Sequence, residues 1–458
     1  MPVVAACVVG AAVSLAAVQP PPATRDRLER LERLGGGLHA RGLFDGAVVV
    51  ARREVVLWER AFGEADADRH VPFTPDTAVD GASLAKTFTA ALLFWLQSEG
   101  RLRLDDPAQR LLPELPYPEI TLRHLLSHSS GLPDYYEYFE PFVGKDQVRT
   151  NEILLGVMAA QKPPLAFRPG TRFEYSSFAY DLAALAAGRA AGATYASLLE
   201  QRLFRPLGIT SAFVRPGRLA DFPGVRTRAY RRVGPLLEPN EVFDLEAFHG
   251  GSNVYISTRD LHRWNASFLT RPALNAAALS EGLRPARIAG SPSGLTLLSW
   301  YYAPDRSSFW YSGHLQGFHS VVFRDMKSGH SIAYSSNNTL DPWLQHGLIR
   351  AIRSVLVGKE AEPLPPPLTA PVPRESWRLL SGNWRTDGGE LFSIESGERL
   401  FIRRTGIAYL MVQVDPRTFY VPGLDFMIGL VRDERGGGET LRVSSNLRLA
   451  TATRPAGP

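Results

Sequence analysis

The sequence predicts a mixed α/β fold of the α+β kind: an antiparallel sheet flanked by helices, followed by a small antiparallel β-barrel. Three observations carry this. A hairpin signal opens the chain's folded part, and helical periodicity fills its middle. Strand-like runs return near residue 300. After a proline-rich break, the pattern becomes short alternating runs up to the C-terminus.

Taken in order, Asp45-Gly46 leads into strands at 47–51 and 54–58. Residues 83–100 are helical, with Leu84, Phe88, Ala91, Leu92 and Trp95 on one face and Gly100 as the stop. Further helices are expected at 151–161, 178–192, 195–204 and 258–269, and strands at 295–302, 320–323 and 331–334. Residues 342–357 again have helical spacing. Six of the eleven residues from Pro363 to Pro373 are proline, which marks a semi-rigid linker over 361–374. Beyond it, runs at 391–394, 400–403, 409–412, 418–421, 426–431 and 440–443 alternate as strands between glycine-rich turns. The domains are therefore expected at 24–360 and 375–458, the second a lipocalin-like barrel.

Residues 2–18 form an almost unbroken run of small apolar side chains. This suits a secretory leader over 1–22 with cleavage near Ala17, or an anchor, although no basic segment precedes it. Val4-Ala5-Ala6-Cys7 has the look of a lipoprotein box but lies too close to the start to have its own apolar stretch. A periplasmic or secreted location with envelope association follows as an expectation. Cys7 is the one cysteine, so internal disulfides, zinc ribbons, iron–sulfur ligation and a cysteine nucleophile are excluded.

The net charge of +5 and pI near 9.3 do not indicate a nucleic-acid partner. Only five of the 51 basic residues are lysines; the arginines are scattered, with no basic run and no nucleic-acid-binding motif. The lysine scarcity is more useful. Lys86 is the one lysine with a serine three residues before it, in Ser83-Leu84-Ala85-Lys86. On a helix this spacing puts both side chains on one face. A desolvated lysine can take a serine's proton, whereas arginine holds its own. The bland alternative is a serine cap followed by a solvated lysine. Gly81-Ala82-Ser83-Leu84-Ala85 is not the G-x-S-x-G elbow, and Ala85 stands where a phosphate loop needs glycine.

Two weaker signals accompany it. Phe173-Glu174-Tyr175-Ser176-Ser177 precedes a helix and supplies a phenol able to move protons. Trp310-Tyr311-Ser312-Gly313-His314-Leu315-Gln316-Gly317-Phe318 places glycines and polar residues between strand-like runs, where backbone N–H groups can hold an oxyanion. Core packing is the default for Trp310 and Phe318, and His319 reads as a strand residue. His124 and His128 have helical i, i+4 spacing, but no third ligand accompanies them, so no metal is expected.

Together these segments resemble the serine β-lactamase and penicillin-binding-protein superfamily, specifically its class C-like serine hydrolases. The segment from Ile120 to Asp134, Phe167-Arg168-Pro169-Gly170, Arg205-Pro206-Leu207-Gly208-Ile209 and Gly250-Gly251-Ser252 strengthen the resemblance across about residues 40–350. It implies a nucleophile at Ser83, with Lys86 and Tyr175 as joint proton-transfer partners. Ser177, Tyr311, Ser312, Gly313 and His314 would then bind substrate, with the Ser83 and His314 N–H groups as the oxyanion hole. Neither a metal nor an organic cofactor is implied. The chain departs from the family pattern twice. Ser177 replaces the asparagine of Tyr-x-Asn, and Tyr311 replaces the lysine or histidine of the third motif. Both changes remove contacts to a substrate amide or carboxylate. The expected substrate is a small ester, or else a D-amino-acid amide or peptide. The alternatives are a penicillin-binding or ligand-binding homologue with little turnover, and an envelope interaction module using the barrel.

Overall fold

The computed structural model describes residues 22–133, 142–144, 146–224, 226–233, 236–240, 246–270, 273–291, 294–340, 342–361, 376–387, 391–397, 400–404, 407–415, 417–421, 426–432, 439–444 and 449–454. The apolar run at 2–18 and all but the first residue of the linker lie outside them.

Six antiparallel strands make the main sheet, in the order Tyr301–Tyr302, Ser308–Leu315, Phe318–Asp325, His330–Ser336, Gly46–Arg52, Val55–Phe62. The first and last parts of this region therefore meet side by side, as the hairpin-first, strands-last pattern predicts. Strand alternation sends Val48, Val50, Val321, Phe323, Ile332 and Tyr334 to one face. There they pack against Leu31 and Leu38 of the helix Pro22–Ala40 and Leu344, Leu348 and Ile352 of the helix Pro342–Leu356. Phe309, Tyr311, Val322 and Ala333 face the other way, into a larger core. That core includes the helices Ala85–Ser98, Ser177–Ala191 and Thr258–Thr270.

Several elements differ from the expectation. The run at 295–302 is a strand only at Tyr301–Tyr302, with isolated bridges at Leu295 and Thr296. The polar stretch around Gly313 is not a connection between strands but the second half of the strand Ser308–Leu315. Phe309 and Tyr311 point to the core and pin its register, which outweighs the low strand propensity of Ser312 and Gly313. The helix Pro22–Ala40 continues through Gly35-Gly36-Gly37, because Leu31 and Leu38 on either side are buried.

The C-terminal strands close into an eight-stranded barrel, two more than the alternation indicates. The additional strands, Gly382–Thr386 and Leu449–Thr453, pair with each other at Arg385 with Thr453 and Thr386 with Ala452, which removes the open edge. Inside lie Trp384, Ile394, Leu400, Ile402, Phe419, Val421, Ile428 and Leu441. The short helix Ser376–Leu380 adds Leu380, whose carbonyl accepts the Trp384 indole N–H at 2.7 Å.

Candidate active site

The sharp local feature is the turn before Ser83. Ala82 has φ of +48°, a left-handed conformation that is costly for a residue with a Cβ. Asp80 holds it: its Oδ1 accepts the Ala82 N–H at 2.8 Å, while the Gly81 N–H donates to the Val254 carbonyl at 2.9 Å. Burial pushes the Asp80 carboxyl up to about 7. A 3-10 turn, Ala82–Leu84, then delivers Ser83 to the start of the helix Ala85–Ser98.

Lys86 lies in the first turn of that helix and is fully buried. Its Nζ donates to Ser83 Oγ at 3.2 Å, to Ser177 Oγ at 3.1 Å and to the Gly251 carbonyl at 2.7 Å. All three ammonium protons therefore have acceptors, as a buried lysine requires. The solvated-lysine alternative is excluded by this burial. The Tyr175 hydroxyl donates to Ser83 Oγ at 2.7 Å from the outer side, and its ring is 44 % exposed. The Lys86 nitrogen also lies 4.8 Å from the centre of that ring.

Tyr175 is oriented by a neighbouring imidazole. His128 stacks on its ring at 4.5 Å, with planes 23° apart. His128 Nδ1 accepts the Ser176 N–H at 3.1 Å. Burial, followed by the Lys86 charge, pushes this imidazole down to about 3, so it is neutral with its proton on Nε2. His128 lies outside the helix Leu122–Leu126, at φ of +54°, so the i, i+4 spacing with His124 does not bring the two rings onto one helical face. His124 instead faces the Thr121 N–H through Nδ1 at 3.3 Å. Among the described residues, no group of three or more His, Cys, Asp or Glu side chains forms a metal-binding cluster.

Ser177 opens the helix Ser177–Ala191, and Ser176 is its N-cap, accepting the Ala179 N–H at 3.1 Å. Ser176→Ala is expected to cost ~1 kcal/mol of stability. Chemical denaturation would measure this, and an unchanged midpoint with unchanged slope would contradict the capping role.

The third predicted segment reaches the site through its backbone. A Cβ on Gly313 would lie 2.0 Å from the Gly81 carbonyl oxygen and 3.0 Å from the Ser83 nitrogen, so the strand Ser308–Leu315 presses directly on the turn that carries Ser83. Tyr311 is buried beside Tyr175, Tyr180 and Tyr301. Burial, then those neighbouring phenols, raises its hydroxyl well above the ordinary tyrosine value, so it remains a neutral phenol. Ser312 is half-buried. His314 is exposed, and its ring lies 5.7 Å from that of His319.

The sequence reading missed the supporting groups. Asp181 Oδ1 accepts the Gly251 N–H at 2.8 Å. Gly250, at φ of +128°, approaches the Tyr180 carbonyl so closely that a Cβ would lie 2.3 Å from it. The paired glycines were the available signal; nothing in the sequence marks Asp80 or Asp181, and His128 stood out only for its spacing from His124, not for its contact with Tyr175.

A serine in the turn that opens a helix, beside a buried lysine of that helix and against an antiparallel sheet, is the arrangement of a β-lactamase-fold serine hydrolase. The chain belongs to the Beta-lactamase family, whose model matches residues 29–356. It is 25% identical over 348 residues to Penicillin-binding protein 4* of Bacillus subtilis (strain 168), covering 73% of this chain and 77% of that protein. Among solved structures, SurE superposes with a TM-score of 0.63 at 22% identity, over 93% of this chain and 99% of SurE. A D-stereospecific amidohydrolase from Streptomyces sp. is 26% identical, with a TM-score of 0.54, over 69% of this chain and 94% of that one. No helix among the described residues is long and apolar enough to cross a membrane.

Proposed function

We propose that the protein is an envelope or secreted hydrolase that cleaves small esters, or else D-amino-acid amides, through an acyl-enzyme on Ser83. The observation that carries this is the double contact on Ser83 Oγ, from Lys86 Nζ at 3.2 Å and Tyr175 OH at 2.7 Å. With the Lys86–Tyr175 pair one proton short, so that the Lys86 amine is neutral, Oγ attacks the substrate carbonyl and its proton passes to the pair, which acts jointly. The same pair returns the proton to the leaving group as the scissile bond breaks. Water then attacks the acyl-enzyme and frees Ser83.

The developing oxyanion is assigned to the N–H groups of Ser83 and His314. Leu315 and Phe318 close a two-residue loop, so they form a hydrogen-bonded pair. The next pair, His314 with His319, is then non-hydrogen-bonded, and the His314 N–H points to the other edge of the strand, next to Gly313, which packs on the Ser83 turn. The domain division at 24–360 and 375–458 belongs to this reading, with the barrel as an appended unit.

Two features favour esters. Tyr311 offers no cation for a substrate carboxylate, and the Ser177 hydroxyl is already engaged by Lys86. The amidohydrolase likeness keeps amides within range. The same two features also suit a penicillin-binding or ligand-binding homologue that acylates and releases slowly.

The test compares wild type with Ser83→Ala on p-nitrophenyl acetate and with a fluorophosphonate probe followed by intact-mass measurement. We expect a loss of about a thousandfold or more in turnover and no label in the variant. Undiminished hydrolysis by Ser83→Ala would refute the assignment. Stoichiometric labelling with a single burst and no steady state would favour the slow-release homologue.

A further inference from the structure

Lys86 has a charged counterpart that it does not touch. Asp181 lies four residues after Ser177 on the helix Ser177–Ala191 and is buried. Its Oδ1 accepts the Gly251 N–H at 2.8 Å, and the Gly251 carbonyl accepts Lys86 Nζ at 2.7 Å. Gly251 is thus gripped from both sides. A Cβ there would lie 2.8 Å from the Ser177 carbonyl oxygen and 3.2 Å from Asp181 Oδ1, so the spacing tolerates only glycine. The Asp181 main-chain carbonyl is fixed as well, accepting Asn151 Nδ2 at 2.8 Å.

The titratable groups around this pair leave Asp181 as the counter-charge. Facing Lys86 are Tyr175, Tyr180 and His128. His128 is neutral, and burial raises the Tyr180 hydroxyl so that it stays protonated. Facing Asp181 are Lys86, Glu246 and Tyr195. Burial keeps Tyr195 protonated, and Glu246 lies 3.7 Å from Arg215 and accepts Asn253 Nδ2 at 3.2 Å. Burial pushes the Asp181 carboxyl up to about 7, while the Gly251 N–H and Lys86 pull it down. Above that pH the carboxyl is ionised and faces the amine as a negative charge.

We propose that Asp181 is a positioning residue for Lys86: through Gly251 it fixes the amine against Ser83, and its charge holds the ammonium form, setting the lower pH limit of Ser83 chemistry. The second half rests on the reading of Ser83 as nucleophile and Lys86 as its proton acceptor. The charge coupling itself does not.

Asp181→Asn keeps an oxygen for the Gly251 N–H and removes the charge; Asp181→Val removes both. Losing a nearby negative charge destabilises the ammonium, so Lys86 should release its proton at lower pH. The first measurement is a ¹³Cε-lysine NMR titration. With five lysines in the chain it is tractable, and Lys86→Met assigns the signal. In Asp181→Asn the Lys86 midpoint should fall by about one pH unit. The second is the pH profile of kcat/KM on p-nitrophenyl acetate, whose acid limb should move down by the same amount. Asp181→Val should also lower kcat by about tenfold with little change in KM, because the amine is no longer held. Thermal unfolding verifies that each variant is folded; if Asp181→Val is not, the isosteric Asn variant still decides. Coincident Lys86 midpoints in wild type and Asp181→Asn would overturn the proposal. Ester hydrolysis unaffected by Ser83→Ala would instead overturn the nucleophile reading, leaving the NMR comparison to judge Asp181.

Discussion

Replacing Lys86 with methionine should lower kcat on an activated ester by about a thousandfold, and Lys86→Arg should not rescue it. The two variants separate charge from proton transfer. Methionine approximates the shape of the lysine stem but supplies no proton acceptor. Arginine keeps the charge but does not yield its proton at any working pH. It must also fit a planar guanidinium where the lysine is fully buried and its three partners are spaced for a single nitrogen. Stability should respond differently. Removing a buried ammonium relieves desolvation but leaves the Gly251 carbonyl without its donor, so Lys86→Met should shift the melting temperature by only a few degrees. Arginine should destabilise more through overpacking. Steady-state kinetics with thermal unfolding tests both. A Lys86→Met protein that keeps a tenth of wild-type kcat would remove the lysine from the mechanism.

Gly313→Ala should be nearly as damaging, for a reason of space rather than chemistry. The added methyl would sit 2.0 Å from the Gly81 carbonyl oxygen and 3.0 Å from the Ser83 nitrogen, both backbone atoms that no side-chain rotation can move. Either the strand retreats or the Ser83 turn shifts. Both separate the two N–H groups assigned to the oxyanion, at a cost of about a hundredfold in kcat. The clash should also lower stability by ~1–3 kcal/mol. Gly36→Ala is the control. It lies inside the helix Pro22–Ala40, nothing approaches within 4 Å of its added carbon, and it should gain ~0.5–1 kcal/mol with activity unchanged. Equal kinetics for Gly313→Ala and wild type would show that the strand does not define the site.

The parts of this site that were legible from the residues obey short-range geometry. Ser83 and Lys86 are three apart where a 3-10 turn runs into a helix, so their meeting follows from local helical geometry. Tyr175 is 92 residues from Ser83, and only the family resemblance joined them. Asp181 was illegible because it acts through the backbone of Gly251, and a single aspartate within a helical pattern reads as a solvated face. His128 was noted only for its helical spacing from His124; the helix ends at Leu126, and the stacking on Tyr175 left no trace in the sequence. In the fold, the strands rich in valine and isoleucine were readable. The half-strand from Ser312 to Leu315 was not, because its place depends on pairing with Phe318–Val321 and not on its own propensity. The first and last barrel strands escaped notice because each has a single large apolar residue, Trp384 and Leu449, and relies on the other for closure.

The pairing of the first strand with the last of the main sheet has a consequence for how the chain acquires its structure. Ser336 hydrogen-bonds to Asp45 across 291 positions, and Gly46–Arg52 is paired on one side only by its own hairpin until His330–Ser336 arrives. The sheet cannot assemble progressively during synthesis. Val48 and Val50 can meet Leu31 and Leu38 early, but the edge of Gly46–Arg52 that pairs with His330–Ser336 stays open until those residues have emerged. Such long-range closure makes folding slow and leaves an apolar strand open to wrong partners in the interim. Dilution and low temperature should therefore raise refolding yield from denaturant. A permuted chain that begins near Ser308 and joins the old termini would shorten the separation of Gly46 and Ser336 from 290 positions to 168 and should fold faster.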